Sequence, residues 1–214
     1  VVFAIDRAGL VGSDGETHQG IFDLSYLGTI PNMSIFAPKN DSELAAGLEF
    51  GLMNYNGPFA IRYPRGKACT RFREFNEPVL YGKSEVLYME KDIALLAVGS
   101  MVETASDVRD KLKEKGYNVS LINARFVKPV DTTVIHRCAD NHQLLVTLEE
   151  NVYTGGFGER VCHYVEEACL NIKVLNISLP DDYVEHGNVE ILKAEEGINV
   201  DSVITRVESF YNNM

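Results

Sequence analysis

Apolar and polar positions along the chain fall into blocks of strand length and helix length that take turns. Val1–Ile5 (VVFAI) is an unbroken apolar run, the pattern of a strand buried on both faces. A polar, glycine-rich stretch follows over residues 6–20 (DRAGLVGSDGETHQG), then a short amphipathic segment near Ile21–Leu27. Met33–Ala37 reads as a second strand, stopped by Pro38. Asn40 with Glu43 three residues on has the spacing of a capping box, so a helix is expected from Asp41 to about Tyr55. Asn56-Gly57-Pro58 ends it, and Phe59–Arg62 reads as a third strand.

Pro64, Gly66 and Pro78 then interrupt the pattern, and the section boundaries fall at 1–65, a linker at 66–80, and 81–214. In the last section Val86–Met89 and Ile93–Val98 read as strands around Lys91-Asp92. Val102, Ala105, Val108 and Leu112 recur at helical spacing, ended by Gly116. Tyr117–Ile122 and Leu144–Leu148 read as strands, with a short helix between them over about Asp131–Ala139. The glycine turn Thr154–Gly158 opens a helix to about Cys169, Val174–Ile177 is the last strand, and helices near Val189–Glu195 and Asp201–Tyr211 follow. Strands alternating with helices imply an α/β fold with a mostly parallel sheet covered on both faces. Three strands are few for such a sheet in the first section, and Val1 enters a strand without a turn or cap. The first unit is therefore expected to be incomplete, or completed by another chain.

Composition narrows the functional classes. Among 214 residues, 45% are hydrophobic and 24% charged, a globular mix that argues against disorder. No apolar run approaches the roughly 20 residues of a membrane span. With 31 acidic against 20 basic residues the net charge is −11, which disfavours binding to nucleic acid or anionic membranes. One stretch opposes that average: Arg62, Arg65, Lys67, Arg71 and Arg73 have no acid among them. It reads either as a solvated linker or as a phosphate or carboxylate site, since guanidinium forks match those anions. Cys69, Cys138, Cys162 and Cys169 show no CxxC and no zinc spacing, and free thiols in a reducing cytosol are expected.

The chemistry-bearing residues concentrate in the loop 6–20. Asp6, Arg7, Asp14, Glu16, Thr17 and His18 lie there among four glycines, past the carboxyl end of a parallel strand, where α/β ligand sites form. His18 has the chemistry to move a proton near neutral pH, Arg7 to hold an anion, and Asp14 to accept hydrogen bonds from hydroxyls. Arg65, in Tyr63-Pro64-Arg65-Gly66, follows the third strand at the same end of the sheet, so it and Arg7 are expected to face one ligand. Thr154–Gly158 lacks both nucleotide-loop patterns, and close helix–strand packing accounts for it. Glu149 and Glu150 read as solvated or interfacial, and His136, His142, His163 and His186 as structural.

These motifs carry a resemblance. AIDRAGLVGSDGETHQGIFDLSYLGTIPNMSIFAPKND, with RYPRG downstream, then ARFVKPVD, LVTLEEN with GGFG, and VLNISLPD, resembles the 1-deoxy-D-xylulose 5-phosphate synthases of the transketolase superfamily over essentially the whole chain. The resemblance implies part of a pyrimidine-binding domain followed by a transketolase carboxy-terminal domain with a mostly parallel five-stranded sheet. It implies a transferase that depends on thiamine diphosphate and Mg2+ and condenses pyruvate with glyceraldehyde 3-phosphate. Carbon dioxide and 1-deoxy-D-xylulose 5-phosphate are the products, the latter a precursor for isoprenoid (terpenoid), thiamine and pyridoxal biosynthesis. By matching motif positions, Arg7 and Arg65 resemble the phosphate clamp and His18 the substrate-facing histidine. Asp14 resembles a contact for substrate hydroxyls or a partner that orients His18.

The family's cofactor residues, including its GDG metal motif and the glutamate that activates the aminopyrimidine, would lie upstream. The isolated chain is therefore expected to bind no thiamine diphosphate or metal and to be inactive. It is also expected to pair with the upstream part of the enzyme, to form a homodimer and to be cytoplasmic, with a plastid location left open by the amino terminus. Two rivals stand beside this reading. One is a β-subunit-like chain of a 2-oxo acid dehydrogenase, against which the DG-x-THQG and YPRG pair argues because that enzyme's acceptor is no phosphosugar. The other is a non-catalytic dimerisation module.

Overall fold

A computed structural model describes all residues, Val1–Met214. Two sheets organise the chain. The first holds β1 (Val2–Ile5), β2 (Ser34–Phe36) and β3 (Phe59–Arg62), in the order β1-β3-β2 and all parallel. The second holds β4 (Glu85–Tyr88), β5 (Asp92–Ala97), β6 (Val119–Asn123), β8 (His142–Val152) and β9 (Lys173–Leu179), in the order β4-β6-β5-β8-β9. Only the β4–β6 pair in it is antiparallel. The expected α/β class with a mostly parallel five-stranded sheet is therefore present.

The remaining strand, β7 (Phe126–Lys128), departs from the sequence reading. It runs antiparallel to β2, so the second section lends a strand to the first sheet. Arg125 makes the crossing by adopting a left-handed conformation, φ +55°. Three residues before a proline carry no periodic signal, which is why the pattern did not show it. Similarly, β4 and β5 are consecutive but not neighbours, because Asp92 (φ +68°) turns the chain and β6 inserts between them.

Helices α1 (Asp23–Gly28), α2 (Asp41–Glu49), α3 (Met101–Glu114), α4 (Thr132–Asn141), α5 (Phe157–Glu167), α6 (Val189–Glu195) and α7 (Val200–Asn212) fill the gaps. The helix expected to reach Tyr55 is α-helical only to Glu49 and then widens into a π turn over Phe50–Asn54. There the chain lies against an aromatic cluster of Phe36, Phe50, Phe59 and Phe126, with Phe36 and Phe126 rings 5.1 Å apart edge to face. Gly47 and Gly51 permit that contact, since a Cβ on either would fall 2.4–2.5 Å from the Phe36 or Phe59 ring. Asn40 caps α2 as expected, accepting the Glu43 amide at 2.9 Å. Glu43 does not complete the reciprocal box. Its carboxylate accepts the Lys39 amide (2.6 Å) and joins a buried ion cluster instead.

Two large apolar cores cover the second sheet. One, around Leu95, Val108, Leu121, Val146 and Val207, packs α3 and α7 against it. The other, around Leu96, Ile135, Phe157 and Val161, is continuous with Leu24, Ile35 and Ala60 of the first section, so the two sheets share one core. Between them lies a cluster in which Lys39 Nζ meets Glu43 (3.1 Å) and Glu85 (2.5 Å), while Arg125 meets Glu43 (2.6 Å) and Glu85 (2.7 Å). All four side chains are at most 3% exposed. At the opposite side of the first sheet, β1 has no outer neighbour, and Val1 and Phe3 are exposed.

Candidate substrate site

Parallel pairing of β1 with β3 places Ile5 beside Arg62, so the residues that follow each strand emerge together. The pairing continues past the strands: the Tyr63 amide donates to Ile5 (3.0 Å) and the Ala8 amide to Tyr63 (3.1 Å). Gly9 and Gly20 exchange backbone hydrogen bonds at 2.8 and 2.9 Å, closing residues 9–20 into a loop with joined ends. Inside it, two 3₁₀ turns, Gly12–Asp14 and Glu16–His18, present the polar side chains.

Three of the four expected site residues converge. Arg7, held at φ +58°, pairs with Asp14, and Arg65 Nη1 reaches the other Asp14 oxygen at 2.5 Å. Two guanidiniums thus close on one carboxylate, all three partly open to solvent. His18 stands apart on the rim, exposed, with Nδ1 2.9 Å from Thr17 Oγ1. Both Asp14 oxygens face arginines, and its side chain makes no hydrogen bond to His18.

Beyond this group the basic stretch divides. Arg62 is buried: its Nε donates to both Asp23 oxygens (2.8 and 2.9 Å), and Nη2 to the carbonyls of Gly20 (2.8 Å) and Glu150 (2.9 Å). It fastens the end of the loop to α1 and β8. Arg71 pairs with Glu103 and Asp107, and Arg73 with Asp41. That leaves Arg65 and Lys67 facing a cavity of about 710 Å3 between the sheets, also lined by Tyr63, Ser100, Glu150 and Lys193. Arg65 borders both the cavity and the loop group, whereas Arg7, Asp14 and His18 do not line the cavity.

Several functional neighbours were missed by sequence reasoning. Arg62 had a usable signal, because an arginine ending a continuously apolar strand needs a buried partner. Gln19 had none. It is buried, its carbonyl accepts the Val11 amide (2.5 Å), and its amide donates to Val184 and Glu185 (both 3.2 Å). Glu149 and Glu150 are buried rather than solvated. Glu150 accepts from Ser100 (2.6 Å) and lies 3.4 Å from Lys193. Glu149 accepts the Phe157 and Gly158 amides (2.8 and 2.7 Å), taking the anion position at the start of α5. Complete burial pushes its carboxyl up to about 7, against the lowering effect of those amides.

The four cysteines are free. No three His, Cys, Asp or Glu side chains converge as a metal site, and the amides of the glycine turn already serve Glu149. No helix is long and apolar enough to cross a membrane.

Comparison with known proteins fits this architecture. The family model for the transketolase C-terminal domain matches residues 82–203, and that for the transketolase pyrimidine-binding domain matches residues 1–70. The chain belongs to the transketolase family. Among its curated relatives, proteins named 1-deoxy-D-xylulose-5-phosphate synthase are 47% identical in Lachnoclostridium phytofermentans and 44% in Clostridium tetani, each over 97% of this chain. One from Dictyoglomus thermophilum is 44% identical over 98%. The chain spans about a third of the length of these relatives. A solved structure described as a split-gene transketolase in an inactive β4 tetramer superposes with a TM-score of 0.87 at 25% identity, covering 98% of this chain and 66% of that one. The transketolase architecture thus accounts for both sheets.

Proposed function

We propose that the chain is the substrate-binding carboxy-terminal part of a thiamine-diphosphate-dependent synthase. The whole enzyme condenses pyruvate with glyceraldehyde 3-phosphate to 1-deoxy-D-xylulose 5-phosphate and carbon dioxide. The observation that carries this reading is the closure of Arg7 and Arg65 on one anionic group. In the resting chain Asp14 supplies that anion, and a phosphate ester is the competing ligand. Each charge-assisted hydrogen bond to it is worth about 1.5–3 kcal/mol. Asp14, once displaced, is a hydrogen-bond acceptor for substrate hydroxyls, and His18 holds or moves a proton on the substrate in this reading.

Thiamine diphosphate and Mg2+ supply the carbanion chemistry in the parent enzyme and belong to segments other than this one. Residues 1–65 serve as half of the pyrimidine-binding domain, 66–80 as the linker, and 81–214 as the carboxy-terminal domain. The unpaired edge of β1 supports a missing half. The isolated chain is inactive on this reading, and the assembled enzyme is a cytoplasmic homodimer. A second reading, a non-catalytic oligomerisation module, draws on the inactive tetramer of the split-gene transketolase.

One experiment separates them. The chain is mixed with the remaining two thirds of such a synthase, thiamine diphosphate, Mg2+ and pyruvate. Carbon dioxide release is then followed with and without glyceraldehyde 3-phosphate, with the chain alone as control. Release in the mixture that depends on glyceraldehyde 3-phosphate is the expected result. Turnover by the chain alone would overturn the assignment of the cofactor machinery elsewhere. An associated but inert mixture would favour the module.

A further inference from the structure

The segment between β9 and α6 is fastened to the loop 9–20 on both sides of His186. On one side the Gln19 amide donates to Val184 and Glu185, and the Tyr183 ring meets Phe22 edge to face at 5.5 Å. On the other the Gly187 amide donates to Gly12 at 3.0 Å, so close that a Cβ on Gly12 would fall 2.1 Å from the Gly187 oxygen. Between these anchors the His186 side chain is exposed. It faces Gly15: a Cβ built there falls 4.0 Å from His186 Cβ and meets no other atom within that distance. Gly15 follows Asp14, the residue on which Arg7 and Arg65 close.

We infer that His186 is a ligand-contacting residue of the loop site, contributed from the far end of the chain. An exposed imidazole between two fixed backbone anchors is a positioned hydrogen-bond donor, because the segment's order is provided before a ligand arrives. The ligand class is a phosphorylated small aldose or polyol. Its phosphate goes to the arginines, and an oxygen on the Gly15 side goes to His186. Gln19 is the positioning residue: its amide makes two hydrogen bonds to the segment that carries the imidazole, while its carbonyl accepts the Val11 amide within the loop. The inference rests on the phosphosugar reading of the site.

The test uses the full chain labelled in its histidines and titrated with glyceraldehyde 3-phosphate, with inorganic phosphate as a separate arm. Ring signals of His18 and His186 are followed by NMR. Both are expected to shift saturably with the sugar phosphate, and His186→Ala is expected to weaken its binding about tenfold with the rest of the spectrum unchanged. Gln19→Glu, which loses the two donors to Val184 and Glu185, is expected to abolish the His186 response and retain that of His18. A saturable His18 response with a silent His186, or unchanged affinity in His186→Ala, overturns the inference and leaves the phosphosugar reading standing. Silence of both histidines with either ligand overturns that reading and the inference with it.

Discussion

Two charge clusters of similar membership behave in opposite ways. At the loop, Arg7 and Arg65 share one carboxylate, Asp14, so cations outnumber anions, and the arginines are 38% and 51% exposed. Between the sheets, Lys39 and Arg125 meet Glu43 and Glu85, two against two, with at most 3% exposure. A buried, balanced cluster has no unmet demand for charge, and it holds the sheets together. An exposed, unbalanced one retains its affinity for an anion from outside. Stoichiometry and solvent access, rather than residue type, separate a latch from a site.

The comparison breaks most readily at the latch. Glu43→Ala removes the anion shared by Lys39 and Arg125 and leaves buried positive charge uncompensated, a loss of about 3–5 kcal/mol. Urea unfolding measures it, and a loss below about 1 kcal/mol would show that water reaches the cluster.

Glu149 sharpens the comparison, as a buried carboxylate held by amides with no cation in direct contact. Its carboxyl is raised from 4.5 to about 7, so the folded state binds its proton more tightly than the unfolded state does. That contribution is fully present below about pH 4.5 and is lost as the pH rises through about 7, a change on the order of 3 kcal/mol. Urea midpoints from pH 4.5 to 8 should fall accordingly. A Glu149 carboxyl carbon signal that titrates below pH 5 would remove the effect.

At the site, Arg65→Ala should weaken glyceraldehyde 3-phosphate binding roughly 10- to 100-fold, equivalent to one charge-assisted hydrogen bond. Calorimetry at two salt concentrations checks this, because an exposed arginine contact must also weaken with ionic strength. The smallest effect belongs to Asp14→Asn. Stability should change by less than about 1 kcal/mol, as for other partly exposed pairs, while affinity for inorganic phosphate rises because the internal competitor is gone. Weaker phosphate binding in that variant would contradict the idea that Asp14 occupies the anion position.

Residues with local signals were legible in advance. The Asn40 cap, the 3.6-residue spacing of α3 and the continuous apolar runs in β5 and β8 depend on neighbours within a few positions. The loop 6–20 was legible for the same reason, because glycine, charge and histidine cluster in consecutive residues. Features made by distant pairing were not. Strand β7 is three residues long and defined by a partner in the other section. Gln19 and Glu149 look like ordinary polar residues until the segments that bury them are in place.

The sequence by itself determined the order of strands and helices apart from β7, the loop that carries Arg7, Asp14 and His18, and the emergence of Arg65 at the same sheet end. Local periodicity, turn chemistry and parallel crossovers specify those. Only the tertiary structure decided which charges close on one another, that Asp14 faces arginines rather than His18, and that the segment bearing His186 lies against the loop. Burial and charge balance arise from contacts between residues far apart in the chain, and no local pattern encodes them.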